Sequence, residues 1–176
     1  MSTNRILLVY AHRTPDASRV NRSLLDAAAS LPNVTVHNLT ARYPDLRINT
    51  EHEQRLLLEH DTIVLQFPFY CYSTPAILKE WQDAVLAYGF AYGTNGDKLR
   101  GKKLMIATTT GGPAEAYEAG GFNQFTLSEL LRPLQATANL AGMRYEPIFA
   151  VSGVRTLDEA ALDRAATAYR GRLAAL

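Results

Sequence analysis

The feature that most constrains the fold is a regular alternation of apolar runs with helix-like segments. Five runs are typical of strands, at residues 5–10, 34–39, 62–67, 103–109 and 144–151. Segments with helical spacing of apolar residues or helix-start signals separate most of them, and an alanine-rich segment follows the last. Such alternation predicts an α/β fold with a parallel sheet and helices on both faces.

Five strands in 176 residues predict a doubly wound, five-stranded parallel sheet of order 2-1-3-4-5, in a single domain over residues 1–176. In this architecture ligands bind beyond the carboxyl ends of the strands, at the switch point between strands 1 and 3. We therefore expect functional residues directly after strands 1, 3 and 4.

Helix starts are indicated by capping signals. Three Thr–Glu pairs are candidate capping boxes: Thr50 with Glu53, Thr126 with Glu129, and Thr156 with Glu159. Thr74 is predicted to cap the helix after strand 3, with Pro75 in its first turn. Pro133 is predicted to bend or interrupt the following helix.

The charge and cysteine content narrow the functional classes. The net charge is +1, and no more than two basic residues are adjacent, so we expect no nucleic-acid partner. The single cysteine excludes an internal disulfide and fits a cytoplasmic location. The four histidines lack the spacing of metal ligands, so no metal is expected. The uncharged stretch 62–78 contains two prolines, so we expect no transmembrane segment, and no targeting segment is evident.

The loop after strand 1 is polar and precedes a helix. Ser18, Arg19, Val20 and Asn21 lie at that helix start, where free N–H groups and the helix dipole suit a phosphate. His12 can add a donor. In the alternative interpretation, Ser18 only caps the helix and His12 is an ordinary loop histidine.

The loop after strand 3 contains Phe69, Tyr70, Cys71 and Tyr72. Aromatic side chains at a switch point suit a flat ring that stacks and hydrogen-bonds to the main chain. Alternatively, they fill the core or a subunit interface. The Cys71 thiol is expected to be buried and inert, with redox sensitivity as the alternative.

The loop after strand 4 contains Thr109, Thr110, Gly111 and Gly112. Its hydroxyls can donate hydrogen bonds, and its glycines let a ligand approach the backbone closely. One planar ligand with a phosphate accounts for all three loops, which favours flavin mononucleotide (FMN).

These residues lie in stretches that resemble the flavodoxin-like NAD(P)H:quinone oxidoreductases. The matching stretches include "LLVYAH", "SRVN", "YPDL", "PFYCYSTPAILKEWQD", "GFAYG", "LRGKKL", "TTGG" and "LRPLQATANLAGMRY". The chain most resembles the short bacterial branch, which includes the ancillary flavoprotein of the glutathione-gated potassium efflux system. The resemblance implies a flavodoxin-like fold, FMN (with FAD as the alternative), NADH or NADPH as electron donor, a quinone acceptor and a homodimer.

The resemblance also implies roles for individual residues. His12 and the loop of Ser18, Arg19, Val20 and Asn21 would hold the flavin phosphate. Phe69, Tyr70, Cys71 and Tyr72 would lie beside the isoalloxazine, and Thr109, Thr110, Gly111 and Gly112 would bind its polar edge. Tyr117 falls on the family's active-site tyrosine. Asn123 stands where better-known members have a histidine, so this chain departs from them in proton handling.

Two other functions remain open. A single-electron flavodoxin carrier is disfavoured because those proteins tend to be acidic and have a hydroxyl-rich first loop. A regulatory subunit of a membrane efflux channel is compatible with enzyme activity and would place the chain at the inner membrane. Residues 41–46 offer a docking surface or form a plain loop. On the helix after strand 3, Glu80 and Asp83 are expected at the surface or an interface, and Trp81 in the core or a dimer contact.

Overall fold

A parallel sheet forms the centre of the computed structural model, which describes residues 4–176. Its order is β2-β1-β3-β4-β5, and β6 also pairs with β4. All strand pairs are parallel. The strands are β1 (Ile6–Tyr10), β2 (Val34–Asn38), β3 (Thr62–Pro68), β4 (Lys103–Thr109), β5 (Arg144–Tyr145) and β6 (Phe149–Val151). The predicted fold class and strand order are confirmed.

Helices lie in every connection between consecutive strands except the one from β5 to β6, and a last helix follows β6. They are α1 (Arg19–Ala29), α2 (Leu39–Arg42), α3 (Thr50–Glu59), α4 (Ala76–Val85), α5 (Leu127–Leu130), α6 (Arg132–Leu140) and α7 (Glu159–Ala174). Single 3₁₀ turns form at Pro15–Ala17 and Ala114–Tyr117. The short α2 was not predicted, because four residues are too few to show helical periodicity.

Two apolar clusters cover the two faces of the sheet. One contains Leu7, Val9, Ile63 and Leu65 together with side chains of α3, α4 and α6. The other places the alternate strand residues against α1 and α7. Because side chains alternate across a strand, a strand covered on both faces is apolar throughout. The apolar run of β1 has this cause, and so does the run Ile63–Leu65 of β3.

The fifth predicted strand is wrong as a single element. Arg144–Tyr145 pairs with the start of β4, and Phe149–Val151 pairs with its end. Pro147 lies between them. Proline has no backbone N–H and cannot continue the ladder, so it separates β5 from β6.

Two of the predicted capping boxes are also wrong. Asn49 caps α3 by accepting from the His52 N–H at 3.0 Å, and Asp158 caps α7 by accepting from the Ala161 N–H at 2.7 Å. In both helices the glutamate of the predicted box has another partner. Glu53 points into the core, and Glu159 pairs with Arg19.

Of the remaining predictions about helix ends, two are confirmed and one is wrong. The box of Thr126 and Glu129 is present in full at α5. Near Pro133 the predicted single helix is interrupted at Leu131, between α5 and α6. α4 begins at Ala76 with Pro75 at its cap position, so Thr74 is not its cap.

A buried carboxylate joins several of these elements. Glu53 is 0% exposed and accepts hydrogen bonds from Tyr43 Oη at 2.6 Å, Trp81 Nε1 at 2.7 Å and His37 Nε2 at 2.9 Å. These four residues, the Glu53 cluster, connect β2, α3 and α4 with the segment after α2. Burial raises the pKa of the Glu53 carboxyl, but the three donors outweigh it and hold the pKa below its ordinary value. Trp81 therefore belongs to the core.

Candidate functional site at the carboxyl edge of the sheet

The loops after β1, β3 and β4 meet at one edge of the sheet, around a cavity of about 370 Å³. We call it the switch-point cavity, because β1 and β3 are adjacent strands whose connections run in opposite directions. Nine of the predicted site residues line it: His12, Ser18, Arg19, Val20, Asn21, Phe69, Tyr70, Thr109 and Gly111.

The first turn of α1 has polar groups without partners inside the protein. Ser18 is at the cap position, but its hydroxyl makes no capping hydrogen bond. Asn21 is 3% exposed, and its Nδ2 donates to Thr109 Oγ1 at 2.8 Å. Its Oδ1 is buried without any partner. A buried polar atom is normally paired, so this oxygen indicates a ligand in the cavity.

The His12 side chain is positioned as a neutral donor. Its Nδ1 accepts a hydrogen bond from the Thr14 N–H at 3.0 Å, which leaves Nε2 to carry the proton. Burial lowers the pKa of the imidazole below its ordinary value of 6.5. Tyr70 Oη is 3.5 Å from Nε2, longer than an ordinary hydrogen bond. The Nε2–H is therefore available to a bound group.

A buried polar chain supports this corner of the cavity. Gln66 on β3 donates from Nε2 to the Asn21 carbonyl at 3.0 Å and accepts from Tyr169 Oη at 3.1 Å. Gln66 and Tyr169 are both fully buried. The sequence did not identify them, although a glutamine inside an apolar strand is a signal for such a link.

The aromatic loop after β3 is a tight turn. Backbone hydrogen bonds link Tyr70 and Ser73 in both directions, at 3.0 and 2.9 Å. Between them, Cys71 and Tyr72 have φ of 46° and 64°. This left-handed conformation is unfavourable for residues with a Cβ and recurs at functional sites.

Cys71 and Tyr72, unlike Phe69 and Tyr70, do not line the switch-point cavity. Cys71 is exposed, so the expectation of a buried thiol is wrong: a two-residue turn leaves its tip uncovered. It lines a neighbouring cavity of about 450 Å³ that also contains Tyr43, Pro44 and Leu46. Tyr72 is 52% exposed and reaches across to the loop after β4.

The loop after β4 is held by its own hydrogen bonds. Thr110 is buried and donates from Oγ1 to the Gly112 carbonyl at 2.8 Å, so its hydroxyl does not line the switch-point cavity. At Gly112, a Cβ atom would lie 3.3 Å from the Tyr117 ring. The absence of a side chain therefore lets Tyr117 pack against the loop.

Tyr117 and Asn123 lie together beside a third, open cavity of about 490 Å³. The Asn123 N–H donates to the Ala116 carbonyl at 2.9 Å, and Tyr72 Oη donates to Asn123 Oδ1 at 2.9 Å. The Phe69 and Tyr117 rings pack edge to face. We call Tyr117 and Asn123 the Tyr117 pair. It adjoins the aromatic loop through Phe69 and Tyr72.

Two cavity residues come from a segment that the sequence did not identify. Val154 and Arg155 follow β6 and line the switch-point cavity. Their position after the last predicted strand could have identified them, because parallel strands bring their carboxyl ends to the same edge of the sheet.

Other sequence candidates lie outside this edge. Glu80 is exposed, and Asp83 forms an ion pair with Lys79 on the exposed side of α4. Across residues 4–176, no cluster of three His, Cys, Asp or Glu side chains is close enough to hold a metal ion. Within the same residues, no helix is both long and apolar enough to cross a bilayer.

Curated relatives match the chain over most of its length. An uncharacterized NAD(P)H oxidoreductase, YdeQ, from Bacillus subtilis is 43% identical over 169 residues, covering 96% of this chain and 86% of that protein. The glutathione-regulated potassium-efflux system ancillary protein KefG from Cronobacter sakazakii is 52% identical over 143 residues, covering 81% and 78%.

Solved structures match equally well. General stress protein 14 from Treponema denticola, in complex with FMN, has a TM-score of 0.92 at 37% identity, covering 97% of this chain and 98% of that one. An NADPH-quinone reductase from P. pentosaceus has a TM-score of 0.88 at 39% identity, covering 96% of each chain. A chain described as a tryptophan halogenase from Streptomycin violaceusniger has a TM-score of 0.93 at 47% identity, covering 95% and 97%.

These descriptions differ in activity but agree in fold. The family model described as "Flavodoxin-like fold" matches residues 4–173, nearly the whole chain. The sheet order and the cavity at the switch point are those expected of this fold. The chain therefore belongs to the flavodoxin-like fold family.

Proposed function

We propose that this chain is a flavin-dependent NAD(P)H:quinone oxidoreductase that holds FMN in the switch-point cavity. The observation that carries the proposal is the unpaired Asn21 Oδ1, buried beside the free Ser18 hydroxyl at the start of α1. A ribityl chain offers hydroxyl donors, and a phosphate suits a helix N-terminus. Relatives named as NAD(P)H oxidoreductase and quinone reductase support the choice of reaction.

The proposed contacts divide between the two ends of the cofactor. His12 and the residues Ser18, Arg19, Val20 and Asn21 would hold the phosphate side. Phe69, Tyr70, Cys71 and Tyr72 would flank the ring, and Thr109, Gly111 and Gly112 would meet its polar edge. Thr110 would support that loop through its hydrogen bonds to Val151, Val154 and Gly112. When bound, the flavin supplies two-electron chemistry, taking hydride from the nicotinamide and reducing the quinone. FAD is the alternative cofactor, and either NADH or NADPH can be the donor.

The Tyr117 pair would contact substrate at the ring. Because Tyr72 Oη donates to Asn123 Oδ1, the Asn123 amide nitrogen remains free to donate to a quinone carbonyl. An amide does not act as a general acid or base near neutral pH, so Asn123 would orient the carbonyl without supplying the proton. One substrate site would bind the electron donor and the electron acceptor in turn, which corresponds to a ping-pong mechanism.

Replacing Tyr117 by Phe tests the substrate contact. We expect kcat/KM for the quinone to fall about tenfold, the effect of losing one hydrogen bond of roughly 1.4 kcal/mol in the transition state. Stopped-flow measurement of each half-reaction separates quinone reduction from nicotinamide oxidation. Tyr88→Phe is the control, because Tyr88 is exposed and bonds only Thr94. Unchanged quinone turnover in Tyr117→Phe excludes the contact.

The function itself is tested on the purified protein. We expect a visible flavin spectrum, release of FMN on denaturation, and parallel double-reciprocal plots with a quinone and NADH or NADPH. Released FAD would change the cofactor but keep the reaction. A protein that takes up no added flavin would contradict the proposal.

A second candidate function is a regulatory ancillary subunit of a glutathione-gated potassium efflux channel. The 52% identity to an ancillary protein named KefG favours it, and it is compatible with the enzyme activity. It would place a cytoplasmic protein at the inner membrane through its partner. Co-purification with the channel from detergent extracts, and altered potassium efflux on deletion, would support it.

We also propose a homodimer, as the resemblance implies. Exposed apolar side chains near the Tyr117 pair are consistent with a second copy there: Phe122 is 90% exposed and Phe125 is 55% exposed. Light scattering that reports twice the mass of one chain would support this assembly, and a monomeric mass would exclude it.

A further inference from the structure

The segment after β6 is fixed to the loop after β4 by three backbone hydrogen bonds. The Thr110 N–H donates to the Val151 carbonyl at 2.9 Å, and the Val154 N–H donates to the Thr110 carbonyl at 3.1 Å. The Gly153 N–H donates to the Gly112 carbonyl at 2.8 Å. These bonds hold the next residue, Arg155, beside the loop of residues 109–112.

The Arg155 side chain lies directly against Gly111. A Cβ atom at Gly111 would be 3.5 Å from Arg155 Nε and 3.8 Å from Nη2, so the guanidinium covers the open face of this residue. Both residues line the switch-point cavity. The charge is thus placed at the end of the cavity that the loop after β4 forms.

The other basic side chains of the cavity already have partners or are neutral. The Arg19 guanidinium donates to Glu159 Oε1 and to the Leu157 carbonyl. Burial lowers the pKa of His12, so its imidazole is neutral near pH 7. In the described part of the chain, no carboxylate oxygen lies within 4.0 Å of an Arg155 nitrogen. Arg155 is the positive charge that the cavity leaves uncompensated.

We propose that Arg155 contacts the polar edge of the flavin ring and stabilises the negative charge that this edge acquires on reduction. The inference rests on the proposed function and adds a residue to it. The guanidinium fork of an arginine is planar, and without a protein partner it pairs most strongly with a planar anionic acceptor that takes two parallel hydrogen bonds. The contact with Gly111 places the fork at the ring, because the loop after β4 is the proposed partner of the ring edge. The phosphate is proposed at the start of α1, and the comparison of FMN with riboflavin below separates the two positions.

The test measures the affinities of wild type and Arg155→Gln for FMN and for riboflavin, each in its oxidised and its reduced form. We expect the variant to lose about tenfold more affinity for reduced than for oxidised flavin. This ratio corresponds to a midpoint potential about 30 mV lower for a two-electron couple. Riboflavin lacks the phosphate and should show the same shift as FMN. Arg155→Lys keeps the charge without the fork and should recover part of the shift.

Arg170→Gln is the matched control, because Arg170 is on α7 and bonds Ser30 at the far end of α1. It should leave the potential unchanged. An equal loss for both redox forms, confined to FMN, would place Arg155 at the phosphate and overturn the proposal. A variant identical to wild type would overturn it while leaving the proposed function intact. If wild type binds no flavin, both proposals fail together.

Discussion

Replacing Glu53 by Leu is expected to destabilise the protein by about 3–5 kcal/mol at pH 7, because three buried donors lose their acceptor at once. The donors are the side chains of His37, Tyr43 and Trp81. Chemical denaturation of wild type and variant measures the difference. Glu59→Leu on the exposed end of α3 is the control and should change the free energy of unfolding by less than about 0.5 kcal/mol.

The same carboxyl predicts a pH dependence. Its folded pKa lies below the ordinary value of 4.5, so its contribution is fully present above pH 4.5 and is lost as the pH falls through the folded pKa. The difference in stability between wild type and Glu53→Leu should therefore shrink as the solution is acidified below pH 4.5. A difference that is constant from pH 7 to pH 3 would show that the three donors do not select the ionised form.

Replacing Asn21 by Ala is expected to weaken flavin binding about 10- to 100-fold. The side chain has one buried oxygen that nothing in the protein satisfies, and losing a buried partner of a ligand costs about 1–3 kcal/mol. The apoprotein should change little in stability, because the lost hydrogen bond to Thr109 is offset by removal of the unpaired oxygen. Fluorescence titration of the apoprotein with FMN gives the affinity, and thermal unfolding gives the stability.

Two companion variants sharpen this result. Thr109→Val removes the acceptor that orients the Asn21 amide and should produce a smaller loss of affinity. Asn139→Ala, on the exposed side of α6, should bind flavin as wild type does. An Asn21→Ala variant with an affinity within twofold of wild type would mean that Oδ1 does not meet the ligand.

Much of the fold was predictable because the strands are buried on both faces. The apolar runs of β1, β3 and β4 have few alternatives once helices alternate with them. The split at Pro147 was less visible, since one residue divides a run whose composition is otherwise typical of a strand. Asn49 and Asp158 each have a threonine nearby that could also cap the helix, Thr50 and Thr156. The choice between them depends on the contacts of Glu53 and Glu159 in the folded protein.

The candidate site was predictable where function follows the end of a strand. The loops starting at His12, Phe69 and Thr109 were identified from topology alone, and the structure brings them to one cavity. Gln66 and Arg155 were missed because their roles depend on contacts across long sequence separations. Gln66, for example, meets Tyr169 on a helix near the other end of the chain.

The interruption at Pro147 also affects how molecules of this protein meet one another. The outer edge of the sheet on this side offers only a two-residue and a three-residue ladder, with no N–H at the proline between them. A strand from another molecule needs a longer row of free donors and acceptors to add to a sheet. This edge is thus protected against the intermolecular sheet growth that leads to aggregation at high concentration.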